Sequence, residues 1–87
     1  MQSENILIIG ANGQLGSVLT KELQSIYGKE SVIASDVFLD TKFDGIFEII
    51  DAADLSEINR IINKYSIKEV YHLASILSAK GEENPLW

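Results

Sequence analysis

The residues best able to do chemistry begin at a glycine turn. Gly10, Gly13 and Gly16 are spaced G-x-x-G-x-x-G directly after the apolar run Ile6-Leu7-Ile8-Ile9. That spacing differs by one residue from the G-x-G-x-x-G dinucleotide fingerprint, and the physical demands are alike. One glycine makes the tight turn off a strand, one lets backbone approach a pyrophosphate, and the last lets the following helix pack closely on the sheet. The N–H groups and positive dipole end of that helix then face the phosphates. Asp36 follows Gly16 by 20 residues. A carboxylate at that distance accepts hydrogen bonds from the adenosine ribose hydroxyls and repels a 2′-phosphate. No arginine or lysine stands in the turn or directly beside Asp36, so the cofactor expected is NAD rather than NADP.

Other residues carry weaker signals. The Asp54 side chain is suited to the adenine amino group, with Leu55 offering backbone to the ring, and Asp54 also suits a helix N-cap; the two roles are compatible. Leu73-Ala74-Ser75 falls at the end of a strand, where open α/β sheets bind ligands, although small residues there also suit plain packing. His72, the only histidine, reads as structural rather than catalytic, and no second histidine or cysteine near it offers a metal site. Ser75 and Ser78 without a base are not a nucleophile arrangement. Asp51 and Asp54 read as loop-rim residues rather than an acid/base pair. Lys80, Glu82 and Glu83 read as a solvated face.

The elements that must position these groups follow from periodicity. Ile6 to Ile9 is continuously apolar, as in a strand covered on both faces. From Gln14 to Tyr27 the period becomes helical, with Leu15, Val18, Leu19, Leu23, Ile26 and Tyr27 as the apolar stripe and Gly28 as the C-cap. Ser31 to Ser35 is a second strand ended by Asp36, residues 37–45 have turn composition, and Ile46 to Ile50 is a third strand. Asp54 with Glu57 forms a capping-box pattern. It opens a helix with Leu55, Ile58, Ile61, Ile62 and Tyr65 on its apolar stripe. Ile67 to Leu73 is a fourth strand. Alternating strands and helices imply parallel pairing with right-handed crossovers. The expected fold is therefore α/β, a partial Rossmann-type sheet in the order β-α-β-β-α-β with strand order 3-2-1-4. The connection between the second and third strands is too short for a full helix.

Composition narrows the function classes. The chain has 87 residues, 46% hydrophobic and 23% charged, ordinary for one small globular domain. A complete dinucleotide-binding domain needs two mononucleotide-binding halves. The expectation is that residues 1–87 are the N-terminal part of one, with the second half of the sheet and a substrate domain elsewhere. The net charge of −6 argues against nucleic acid and against an anionic membrane surface as partners. No cysteine is present, which rules out disulfides and a catalytic thiol and fits a reducing cytoplasm. No signal peptide or apolar run of membrane-spanning length is found. A cytoplasmic location is expected.

Taken together, these segments resemble the extended short-chain dehydrogenase/reductase family, which includes NAD-dependent sugar-nucleotide epimerases and dehydratases. The resemblance lies in Ile6 to Gly16, in Val32-Ile33-Ala34-Ser35-Asp36 and in His72-Leu73-Ala74. Within the family the chain is most similar to short-chain-type L-threonine 3-dehydrogenases, through Ala11 to Gly16, Tyr27-Gly28, Leu73 to Ala79 and Glu83-Asn84-Pro85. The resemblance implies NAD contacts at Gly10, Asn12, Gly13, Gln14 and Leu15 around the pyrophosphate. It implies Asp36 on the adenosine ribose, Asp54 and Leu55 at the adenine, and Leu73, Ala74 and Ser75 beneath the ribose and pyrophosphate. Ser78 is similar to a residue near the nicotinamide and substrate. Two departures are visible: Ser75 stands where the family often has alanine, and no basic residue follows Asp36.

Family catalysis uses a Tyr-x-x-x-Lys pair, in which the lysine lowers the tyrosine pKa. Tyr27, Tyr65 and Tyr71 are followed four residues later by Ser31, Glu69 and Ser75, so none forms the pair. The expected role is the NAD-holding portion of an oxidoreductase that oxidises L-threonine to 2-amino-3-oxobutanoate. The rival substrates are nucleotide sugars of an epimerase or dehydratase. A non-catalytic NAD-sensing module is the rival from another class. A homodimer is expected of the longer protein.

Overall fold

The structure, a computed structural model, describes residues 5–73. Ala74, Ser75 and Ser78, and the stretch from Leu77 to Pro85 that carries part of the resemblance, lie outside the described residues. Four strands, β1 (Asn5–Ile9), β2 (Val32–Asp36), β3 (Ile46–Ile49) and β4 (Ile67–His72), alternate with the helices α1 (Gln14–Tyr27) and α2 (Leu55–Tyr65). All pairings are parallel and the strand order is β3-β2-β1-β4. This is the expected 3-2-1-4 sheet.

The continuous apolar run of β1 is explained by its central position. Leu7 lies between Ile33 of β2 and Val70 of β4, and Ile6, Leu7, Ile8 and Ile9 are all buried. Alternate side chains serve opposite faces. Ile6, Ile8, Val32 and Ala34 pack with Leu23 of α1, while Leu7, Ile9 and Ile33 pack with Ile58 and Ile61 of α2. One helix thus covers each face, as right-handed crossovers require when the chain first moves to β2 and then returns past β1 to β4. Among the described residues no helix is long and apolar enough to cross a membrane.

Two readings of helix faces are corrected. In α1, Leu15, Val18, Ile26 and Tyr27 are exposed, whereas the buried face is Gly16, Thr20 and Leu23 with Leu19 beside them. Counting apolar residues misjudged the face because its closest contact is made by a glycine. Thr20 tolerates burial because its hydroxyl donates to the Gly16 carbonyl at 2.6 Å, satisfying the group within the helix. In α2, Leu55 is exposed and the buried contacts come from Ile58 and Ile61. The capping box is half formed. Asp54 accepts from the Glu57 backbone N–H at 3.3 Å, but the Glu57 carboxylate turns away to Arg60 at 2.8 Å.

Strand limits also shift slightly. Ser31 closes a short 3₁₀ turn (Lys29–Ser31) before β2 begins at Val32. Ile50 lies beyond β3 but is buried, and β4 ends at His72. The connection 37–45 contains no helix. In its place Phe43 packs edge-to-face on Phe47, with ring centroids 5.4 Å apart, over the α1 side of the sheet. Gln24 of α1 donates to the Asp44 carbonyl at 3.0 Å, and Lys29 pairs with Asp44. A cavity of about 510 Å³ remains between α1 and residues 40–44, lined by Val18, Lys21, Gln24, Lys42 and Phe43 among others. It lies where a crossover helix is missing.

Candidate nucleotide-binding site

The site is assembled at the C-terminal ends of the parallel strands, where every described loop that leaves a strand begins. Gly10 leaves β1 with φ 94°, a conformation that favours glycine over any L side chain. This bend aims the Gly10 and Ala11 N–H groups at one acceptor, the Ser35 carbonyl, at 2.9 and 3.0 Å. The Ser35 hydroxyl is buried and donates back to the Ile8 carbonyl at 2.8 Å. The turn is thereby tied to β2 before α1 starts. Gly16 then brings α1 against the turn. A Cβ added there would sit 2.1 Å from the Gly10 oxygen and 2.9 Å from the Ala11 Cα, closer than any side chain permits. Gly13, by contrast, has φ −71° and ψ 172°, open to any residue, so its backbone conformation does not demand glycine.

The two helix N-termini are built differently. At α2, Asp54 caps with its carboxylate and Glu57 places acid in the first turn. At α1, Gly13 is the N-cap, no side chain caps the helix and no acid lies in the first turn. The first-turn N–H groups of α1, starting with Gln14 and Leu15, are thus left without a side-chain acceptor. Such a terminus carries partial positive charge and suits an anion.

Asp36 ends β2 beside this turn. One carboxylate oxygen accepts the Asn12 backbone N–H at 2.8 Å and the other accepts the Val37 N–H at 2.7 Å. An ionised carboxylate offers about four acceptor positions, so two remain. The glycine turn and Asp36 are therefore in direct contact. Asp54, on the loop leaving β3, and Leu55, the first residue of α2, lie at the same end of the sheet. Hydrogen bonds from the Ser56 hydroxyl and then the Glu57 N–H hold the Asp54 carboxyl below the usual carboxylate range. One of its oxygens, Oδ1, takes both bonds. The capping and adenine roles assigned to Asp54 do not exclude each other. Leu73 follows β4 and is buried in the α1-side cluster, so its side chain is packing. Asp51 accepts from the Ala53 N–H at 2.9 Å and holds the loop.

One exposed apolar segment carries no role in the sequence reading. Val37, Phe38 and Leu39, directly after Asp36, are all exposed, Phe38 at 60%. Leu15, in the first turn of α1, and Leu55, the first residue of α2 and 71% exposed, join them. These five residues place exposed apolar side chains near the C-terminal ends of the strands. Three consecutive apolar residues in a segment otherwise of turn composition were the available signal.

A separate polar cluster is structural. Glu48 of β3 accepts from Tyr65 at 2.6 Å, Lys64 at 3.2 Å and Arg60 at 3.3 Å. Burial pushes the Glu48 carboxyl up, but these three donors outweigh it and hold the group below its ordinary range. Burial and the bond to Glu48 raise the Tyr65 phenol. The cluster pins α2 to the edge strand.

Comparison with known proteins gives a consistent result. A family model described as "NAD dependent epimerase/dehydratase family" matches residues 6–85. Among curated proteins, the chain is 32% identical to an uncharacterized epimerase/dehydratase of Staphylococcus saprophyticus, over 97% of this chain and 28% of that protein. Among solved structures, it is similar to the holo form of a GalE-like L-threonine dehydrogenase from Cupriavidus necator. That likeness has 42% identity, TM-score 0.79, and covers 95% of this chain and 27% of the other. A monomeric L-threonine 3-dehydrogenase from a metagenome, in its apo form, is 46% identical with TM-score 0.80 over 93% of this chain and 26% of its own. The chain spans about a quarter of the length of these proteins.

Proposed function

The chain belongs to the NAD-dependent epimerase/dehydratase family, and from that premise we propose that it holds NAD for an oxidoreductase acting on L-threonine. The observation that carries the cofactor reading is the contact between the uncapped glycine turn and Asp36. The residues present fit the group. The first-turn N–H groups of α1 would hold the pyrophosphate. The two remaining acceptor positions of Asp36 match the two vicinal hydroxyls of an adenosine ribose. A 2′-phosphate would instead meet a carboxylate, which favours NAD over NADP. Leu55 and the Val37–Phe38–Leu39 segment offer apolar surface to adenine, with Asp54 at its amino group. The backbone at Leu73, Ala74 and Ser75 would run beneath the ribose and pyrophosphate.

When bound, NAD supplies a hydride acceptor. The residues of this chain bind and orient it, and none is assigned a proton-transfer step, because the 87 residues contain no Tyr-x-x-x-Lys pair. Residues 1–87 are assigned as the front of the dinucleotide-binding domain, with the rest of the sheet and the substrate domain in a longer protein. That protein would oxidise the secondary alcohol of L-threonine to 2-amino-3-oxobutanoate and would act in the cytoplasm as a homodimer. Ser78 is assigned to the nicotinamide and substrate end. The threonine reading is supported by the similar structures. A nucleotide-sugar epimerase or dehydratase is the second reading, favoured by the description of the curated relatives.

Calorimetric titration of the chain with NAD and with ADP-ribose tests the cofactor assignment. Comparable binding of both is expected, and no heat with either overturns it. L-Threonine-dependent NADH formation by the longer protein separates the two substrates; turnover of a nucleotide sugar alone would select the second.

A further inference from the structure

Asn12 reaches the segment after β2 with two groups. Its backbone N–H donates to Asp36 at 2.8 Å and its side-chain amide donates to the Phe38 carbonyl at 2.7 Å. These two bonds tie residues 36–38 to the glycine turn, and the Val37 N–H on the other Asp36 oxygen at 2.7 Å links the carboxylate to the segment itself. Asp36 itself is held in the sheet, its carbonyl accepting the Ile50 N–H at 2.9 Å, but the residues beyond it have less support. Val37, Phe38 and Leu39 are exposed, so burial contributes little, and 37–45 has no helix to order it. The Asn12 amide bonds a backbone carbonyl two residues beyond Asp36, whose carboxylate is held by the Asn12 and Val37 N–H groups.

We propose that Asn12 is a positioning residue whose side-chain amide latches Phe38 and so sets the selectivity of the site for NAD over NADP. The proposal rests on the NAD reading above. While the latch is closed, Asp36 is held towards the ribose, where it accepts hydroxyls and repels a 2′-phosphate. With the latch open, the Phe38 carbonyl is released and the turn keeps only the Asn12 backbone N–H on Asp36. The Val37 N–H on the other Asp36 oxygen then moves with the released segment and draws the carboxylate with it, weakening its bonds to the ribose and its repulsion of the phosphate together. The Asn12 side chain thus acts through Asp36 and is not itself needed at the pyrophosphate.

Asn12→Ala removes the latch and leaves the backbone N–H to Asp36. It is expected to weaken NAD about three- to tenfold, the range of one hydrogen bond, and to weaken NADP less or not at all. In an Asp36→Ala background the same change should no longer alter the NAD/NADP ratio. Equal weakening of both dinucleotides, or an unchanged ratio, overturns the proposal. A second readout needs no ligand. Chymotrypsin cleavage after Phe38, located by mass spectrometry, should accelerate several-fold in Asn12→Ala, with cleavage after the exposed Tyr27 unchanged as the internal reference. Unchanged cleavage after Phe38 shows that no latch exists. If Asn12→Ala does not fold, Asn12→Asp keeps the volume, loses the amide donor and must give the same cleavage result. Failure of the unmutated chain to bind NAD overturns the functional reading and the selectivity with it, whereas the cleavage rate still decides the latch.

Discussion

Gly16→Ala is the substitution for which the structure makes the sharpest demand. In an ordinary helix the change from glycine to alanine is favourable by about 1 kcal/mol. Here the new Cβ would lie 2.1 Å from the Gly10 oxygen, with the Ala11 Cα at 2.9 Å and the Gly10 carbon at 3.0 Å. Reaching an ordinary contact of about 3.4 Å from 2.1 Å requires a shift of about 1.3 Å between helix and turn. All three atoms are backbone, and the turn is bonded to Ser35 at Gly10 and Ala11, so no side chain can yield instead. Overpacking costs about 1–3 kcal/mol and more where nothing relaxes. A clash at the top of that range or beyond leaves a net loss of about 2 kcal/mol or more once helix propensity is subtracted. For a chain of this size that lowers the melting temperature by roughly 8–16 °C. Circular dichroism melts of the chain read it directly. Gly13→Ala is the control, since φ −71° suits alanine; it should melt within a few degrees of the unmutated chain while weakening NAD. A Gly16→Ala variant as stable as the unmutated chain would refute the close-approach account.

Three further outcomes follow from local geometry. Glu48→Gln should cost about 1 kcal/mol at neutral pH, because the pairs are partly solvated, as read by urea denaturation. The Glu48 carboxyl is lowered on folding from an ordinary 4.5, so its contribution is complete above that value and is lost as pH falls through the folded one. The gap between Glu48→Gln and the unmutated chain should therefore close in acid; a gap independent of pH would contradict the cluster. Asp54→Ala should lower the melting temperature, and Asp54→Asn should recover much of the loss, since an N-cap needs an acceptor rather than a charge; equal losses would contradict the cap. Ser66 ends α2 with φ 52°, so Ser66→Gly should stabilise by about 0.5–1 kcal/mol, measured as an upward shift of the melt.

Much of the architecture was legible because several signals coincided. The unbroken apolar run of β1 requires cover on both faces, and a glycine turn followed by helical periodicity fixes what comes next. Gln14 to Tyr27 and the 3-2-1-4 order follow from those features and from crossover handedness. What escaped was set by contacts between distant segments. The buried face of α1 is decided by the approach of Gly16 to Gly10, and a count of apolar residues assigns no weight to a glycine. Glu57 completes a capping box in pattern, but Arg60 one turn later competes for its carboxylate. Asp36 was found from its distance to the turn, whereas the Asn12 amide on Phe38 was not, because its acceptor is a backbone carbonyl with no trace in sequence. The exposed Val37–Phe38–Leu39 segment was passed over for a similar reason, since its neighbours Asp40, Thr41 and Lys42 have turn composition.

The cofactor proposal rests most directly on Asp36 as the partner of the adenosine ribose. Titrating the unmutated chain and Asp36→Ala with NAD and NADP measures that role directly. NAD should bind the unmutated chain at least about tenfold tighter than NADP, the worth of a charge-assisted hydrogen bond. Asp36→Ala should bring the two affinities together by weakening NAD and relieving the repulsion of NADP. A ratio unchanged by Asp36→Ala would contradict the ribose assignment.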